Sequence, residues 1–260
     1  MVSGAVVVNL TTPNARRGAV FDGVDDFVDC NFEDMPNTEF TNGFTLSCWI
    51  KVKSAGESNE GRIFDKSDGG FGSNGFAWYM TTTDKLVLRN NIGNISSSQD
   101  FIFTTHVWYH IAISINSSDL ATHYINGAVS GTPATIAGFL AAITSTNNTR
   151  IGNLNGATTR TLDGIISDLK VHNRAVSQEE ITALAADKTI ANGLIHNWKF
   201  SEDYKDSVGT ADGTNTGTRL TSQDDQVMGA ISGARVTASD KYMIANSGDD
   251  ILSVVIEEAP

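Results

Sequence analysis

This chain is short of basic residues, proline, cysteine and long apolar runs, and each shortage argues against a class of protein. Eighteen Lys and Arg stand against 30 Asp and Glu in 260 residues, a formal net charge of −12. Nucleic-acid binders neutralise phosphates with clustered Lys and Arg, so this composition argues against DNA or RNA as a partner. It argues equally against an anionic membrane surface. No apolar stretch approaches the roughly 20 residues a helix needs to span a bilayer, and no membrane insertion is expected. Residues 1–18 lack the basic start and long apolar centre of a signal peptide. The two cysteines, Cys30 and Cys48, sit inside apolar strand-like runs and read as reduced, buried thiols rather than a disulfide framework. With only 4 Pro against 24 Gly, the gaps between apolar segments are filled by Gly, Thr, Ser, Asn and Asp, which is turn chemistry rather than disorder.

What the chain does have is alternation. In FTLSCWIKV, Phe44, Leu46, Cys48, Ile50 and Val52 fall on one face, and Thr45, Ser47, Trp49 and Lys51 on the other. In VWYHIAISI, Tyr109, Ile111, Ile113 and Ile115 oppose Trp108, His110, Ala112 and Ser114. Side chains alternate across a strand, so each segment reads as a strand with one core-facing side. Shorter runs (FAWYM, KLVLRN, FIFTT, ATHYI) continue the pattern, and Asn126-Gly127 marks a tight hairpin because both residues accept positive φ. One helix stands out: Ser177-Gln178-Glu179-Glu180 fits a capping box, followed by Ile181, Leu184 and Ala185 at helical spacing. The expected fold is all-β, a two-sheet antiparallel jelly-roll sandwich with one short helix.

The order of the segments carries a resemblance. AVFDGVDDFV (residues 19–28) is followed by Cys48-Trp49-Ile50-Lys51, then Trp108-Tyr109-His110-Ile111-Ala112, then Tyr124 to Asn126-Gly127, then Ile151-Gly152, then the closing blocks at residues 164–171 and 174–181. This series resembles the laminin-G-like, concanavalin A-like jelly-roll family over about residues 16–187. The segment GLIHNWKFSEDYKDSVGT is similar to the one that usually opens such a domain, yet here it follows the closing helix. It either starts a truncated repeat or folds back to supply a displaced first strand. The second is favoured, since an unpaired sheet edge is a liability. The expected organisation is therefore one sandwich over residues 1–218, with residues 193–218 as the displaced strand. Residues 219–260 are expected as a β tail that completes the sandwich or pairs with a partner.

No catalytic set emerges. Gly70 to Gly75 fits G-x-G-x-x-G but precedes a strand-like run, whereas dinucleotide binding needs a helix there. His106 and His110 lie about 13 Å apart along a strand, too far to share one ion. Glycoside hydrolysis needs two carboxylates flanking a sugar, and the acidic pairs here sit at turns, caps and ends, so no enzyme activity is expected. The resemblance implies a structural Ca²⁺ in some relatives, and the matching acidic positions are Asp25, Asp26 and Asp168, joined by Glu202 if the late segment folds back. A glycan site would use exposed aromatics in a polar rim, for which Trp78, Tyr79, Asn74, Asn153 and Asn155 are the candidates; Trp49, Trp108 and Trp198 read as structural.

Two functions follow as expectations. The first is a non-catalytic structural or interaction module of a larger assembly, such as a virion component (capsid decoration or tail), with protein partners in an oligomer. The alternative is a lectin-like adhesion module for a cell-surface glycan, with a glycoside hydrolase less favoured. Either places the protein on a virion or an extracellular surface.

Overall fold

A computed structural model describes residues 16–30, 40–67, 75–82, 85–90, 95–97, 103–142, 148–221, 243–247 and 250–254. The chain forms two compact units: Gly18–Leu220, and a second made of Met1–Arg17 with Thr221–Pro260. Within the second, β17 (Met243–Ser247) and β18 (Asp250–Val254) form an antiparallel hairpin, in register from Met243 opposite Val254 to Ser247 opposite Asp250.

The first unit is a sandwich of two antiparallel sheets. Sheet A runs in the order β10 (Ala128–Val129), β9 (Leu120–Ile125), β8 (Trp108–Ile115), β3 (Phe44–Val52), β13 (Asp163–His172), β1 (Ala19–Asp22) and β16 (Arg219–Leu220). Off that path, β11 (Ala134–Thr135) pairs with β9 and β14 (Leu194–Trp198) with β13. Sheet B runs β15 (Gly213–Thr216), β2 (Phe27–Cys30), β12 (Thr149–Ile151), β4 (Arg62–Asp65), β5 (Phe76–Met80), β6 (Leu86–Asn90) and β7 (Ile95–Ser97). Residues 193–218 thus give β14 to one sheet and β15 to the other.

Alternation decides which side chains meet between the sheets. Phe44, Leu46, Cys48 and Ile50 of β3 and Ile111, Ile113 and Ile115 of β8 are fully buried there. From sheet B they meet Phe64, Phe76 and Trp78; the Phe44 and Phe76 rings pack edge-on at 5.3 Å. Both cysteines are free and buried. The turn after β9 takes positive φ at both Asn126 (49°) and Gly127 (80°), as a type I′ turn requires. Among the described residues the longest helix is α2 (Gln178–Ala185), capped by Ser177 and Glu180 in a complete capping box, and α1 (Phe139–Ala142) is a single turn. It lays Ile181 and Leu184 on Ala112 and Tyr124, covering one end of the outer face of sheet A.

Candidate functional site

Two places on the sandwich gather groups able to hold a ligand. The first is the link between β1 and β2. Gly23 takes φ 80° in the short link that carries the chain from sheet A to sheet B, and the link brings Asp22, Asp25 and Asp26 together, one carboxylate oxygen of each within 4.8 Å of the others. The backbone orients them: Val24 N–H donates to Asp22 Oδ1 at 2.8 Å and Asp22 N–H donates to Asp26 Oδ2 at 2.9 Å. Asp26 is buried beneath Gly217, where an added Cβ would lie 1.9 Å from Asp26 Oδ1. Burial pushes the Asp26 carboxyl up from its ordinary value; the Asp22 N–H bond opposes this, and the charges of Asp22 and Asp25 add to it. Three crowded carboxylates with hard oxygen donors suit a cation such as Ca²⁺, which takes six to eight oxygens, and a cation would relieve their repulsion.

The structure regroups the predicted acidic set. Asp25 and Asp26 come together as expected, and Asp22 joins them. Asp168 is elsewhere, in contact with Lys170 Nζ on β13, and Glu202 is exposed in the loop after β14. The reason is topological: β13 carries Asp168 into the body of sheet A, whereas the cluster is made within residues 22–26, in the link between the sheets. Its signal was the spacing Asp22-Gly-x-Asp25-Asp26 itself.

The second place is the outer face of sheet A. Trp49 sits opposite His110 and Lys51 opposite Trp108 on adjacent strands, so the two indoles are diagonal neighbours on one face. Both are half-buried. Each ring is braced: His110 meets Trp49 edge-on at 5.5 Å, and Lys51 Nζ lies 6.0 Å from the Trp108 ring centre. Ile165 of β13 stands beside Lys51 and Val20 of β1 beside Ile165, and both are half-buried. The face is an apolar strip with two aromatic plates and an ammonium.

The predicted aromatic pair is not that platform. Trp78 is fully buried and Tyr79 is 6% exposed. β5 is covered on both sides: Phe76, Trp78 and Met80 enter the inter-sheet core, while Ala77 and Tyr79 pack with Val87 on the other face. There the Arg62 guanidinium lies 4.3 Å from the Tyr79 ring centre, and Arg62 pairs with Asp65 at 3.1 Å with both side chains 0% exposed. Asn153 is buried too, donating to Thr161 Oγ1 at 2.7 Å. Asn155 donates to the Ser67 and Asn148 carbonyls at 2.9 and 2.7 Å. Both asparagines pin the loop between β12 and β13 and are spent on structure. Asn74 lies outside the described residues.

A profile of the concanavalin A-like lectin/glucanases superfamily, of laminin-G type, matches residues 22–182. The chain belongs to this superfamily. Solved structures agree on the fold at low identity. A candidate carbohydrate-binding protein from Bacteroides ovatus superposes with a TM-score of 0.59 at 17% identity, over 82% of this chain and 60% of that one. The heptameric SAP-like pentraxin of Limulus polyphemus gives 0.59 at 17%, over 79% of this chain and 94% of that one. The binding domain of botulinum neurotoxin DC, solved with rat synaptotagmin II, gives 0.51 at 16%, over 74% and 48%. This chain therefore spans 60% of the Bacteroides protein's length. No curated protein sequence matches it.

In this superfamily member four of the carboxylates on the strands are held in ion pairs. Asp65 pairs with Arg62, Asp29 with Arg150 at 3.1 Å, Asp163 with Lys53 at 3.5 Å, and Asp168 with Lys170. Glu179 and Glu180 belong to the helix cap, where Glu180 also accepts from both terminal nitrogens of Arg174. Hydrolysis of a glycoside needs one carboxylate free to ionise and one free to donate. Among the described residues, the acidic cluster outside these pairs is that of Asp22, Asp25 and Asp26 at the link between β1 and β2.

Proposed function

We propose that the chain is a non-catalytic, lectin-like module that binds glycans on the outer face of sheet A, across Trp49 and Trp108. The observation that carries this reading is the pair of braced, half-buried indoles on adjacent strands beside Lys51. A pyranose offers a face of C–H bonds that stacks on an aromatic plate, and its hydroxyls accept from an ammonium. The superfamily and the Bacteroides neighbour support the reading as analogy. For the same reason it is taken over a capsid or tail role, which the similar structures do not favour. Calcium at Asp22, Asp25 and Asp26 is part of the proposal, as a structural ion that ties the β1–β2 link to the one between β15 and β16 through Asp26 and Gly217.

The test is a glycan panel read by isothermal titration, with Trp49→Ala and Trp108→Ala. Each substitution removes a stacking plate and is expected to weaken binding about tenfold. Binding that both variants retain would move the site elsewhere; silence across the whole panel would end the lectin reading. For calcium, Asp26→Asn should abolish any rise in melting temperature on adding CaCl₂. An unchanged melt of the native chain in excess calcium would remove the ion from the proposal.

A further inference from the structure

The strand that follows the closing helix brings an unusual set of groups together. β14 runs beside β13 so that Asn197 lies directly opposite Lys170. Their neighbours Leu169 and Trp198 point into the core, so Lys170 and Asn197 share the outer face. Cross-strand partners hold their Cβ atoms about 4.5–5.5 Å apart. Both are nearly sealed from water, Lys170 at 6% and Asn197 at 5% exposure. A bulge lies between Ser167 and Lys170, and within it Asp168 takes φ 52°, a left-handed conformation that a non-glycine residue rarely adopts. Bulges re-aim side chains, and this one brings the Asp168 carboxylate onto Lys170 Nζ. An ion pair accounts for Asp168 and Lys170. It leaves the Asn197 Oδ1 buried, with no hydrogen-bond partner among the described residues, on the residue directly across the ladder from Lys170.

We propose that Lys170 and Asn197 join in an intramolecular isopeptide bond, with Asp168 as the proton relay. Asp168 takes a proton from the Lys170 ammonium. The freed amine attacks the Asn197 carboxamide carbon, forming the Nζ–Cγ bond. Asp168 passes protons from Nζ to Nδ2, the Cγ–Nδ2 bond breaks, and the carboxamide nitrogen leaves. Two protons leave Nζ and two reach Nδ2, so the leaving group is ammonium and Asp168 ends as the carboxylate it was. Nothing is oxidised or reduced, and no co-reactant is needed. The bond would fix the displaced strand covalently to the closing strand of sheet A. It stands independently of the glycan reading.

Intact-mass spectrometry of the denatured full chain tests it. The expected result is a mass short of the sequence value by one ammonia, with fragmentation locating a branched peptide through Lys170 and Asn197. Asn-Gly pairs such as Asn126-Gly127 also lose ammonia when they cyclise to a succinimide, so the position decides. Lys170→Arg and Asn197→Ala should restore the full mass. Asp168→Asn, shown folded by circular dichroism, should also have the full mass, because it keeps nucleophile and acceptor but not the relay. A folded native chain of full mass overturns the proposal, as does a deficit that maps to an Asn-Gly pair. A cross-link that persists in Asp168→Asn overturns the role of the carboxylate.

Discussion

Asp206 organises the loop after β14, and its removal should cost the sandwich several kcal/mol. Its Oδ1 accepts from the backbone N–H of Asn197, Val208 and Gly209 at 2.9, 3.1 and 3.0 Å. Its Oδ2 accepts from Ala211 N–H at 3.2 Å and from His196 Nδ1 at 2.6 Å. The side chain is 0% exposed. That loop in turn places the Ala211 carbonyl, which accepts from Trp198 Nε1 at 2.7 Å. In Asp206→Ala the exposed Val208 amide turns to water, as does that of half-buried Gly209. The amides of Asn197 and Ala211 are buried and are left without an acceptor, at about 1–3 kcal/mol each. The expected loss is about 3–5 kcal/mol. In a unit of this size that is a fall of roughly 2–4 °C in melting temperature per kcal/mol. Burial alone would push the Asp206 carboxyl up, but the His196 ring and the amides of Asn197, Gly209 and Val208 overcome it and hold it well below the usual carboxylate range. A carboxylate depressed on folding stabilises fully above its unfolded value, near 3.9, and that stability drains away as pH falls toward the folded value. Native stability should therefore fall below about pH 4, and Asp206→Asn should flatten that slope. Urea unfolding across pH is the assay. A loss under about 1 kcal/mol, or an acid slope unchanged in Asp206→Asn, would refute the role given to Asp206.

Four further outcomes are expected. Arg62→Met leaves buried Asp65 without its cation and should destabilise by about 3–5 kcal/mol, while adding Asp65→Leu should recover part of that loss in urea titration. His172 is held neutral, lowered to about 4 mainly by burial, with Arg174 and Lys170 adding to that and the Ile190 carbonyl opposing it. A base depressed on folding gives up stability as pH falls from about 6.5 to about 4. The loss approaches roughly 3 kcal/mol, and His172→Gln should remove that step from the pH profile. Gly152→Ala places a Cβ 2.0 Å from the Phe21 ring at φ 86° and should cost over about 2 kcal/mol. Gly156→Ala, at φ 77° with nothing within 4 Å, should cost only the left-handed strain, about 1–2 kcal/mol.

The sandwich was legible because its signals are local. Alternation in FTLSCWIKV named five residues for one face, and all five are buried in the core. Asn126-Gly127 and the Ser177–Glu180 box each describe a few consecutive residues, and each forms as read. The Ile151-Gly152 pair was legible as a motif, but its reason was not: the glycine is required because Phe21, 131 residues earlier, lies against it. Pairing that depends on distant residues leaves no mark at either end of the sequence. The Asp206 loop shows the same limit, since its motif Asp-Ser-x-Gly is visible but the amides it collects are not.

The candidate site divides the same way. Alternation had already set Trp49 apart from the core residues of β3 and Trp108 apart from those of β8, so their place on the outer face was in the sequence. Reading them only as family motif residues hid it. Trp78 misled for the opposite reason. FAWYM is apolar at every position, so its period cannot say which face is solvated, and in the fold neither is. A strand that alternates polar with apolar residues declares its exposed face, whereas a uniformly apolar strand is covered on both sides. The exposed aromatics of such a chain are therefore best sought opposite the core face of its most strongly alternating strands, which here leads to Trp49 and Trp108 rather than to Trp78 and Tyr79.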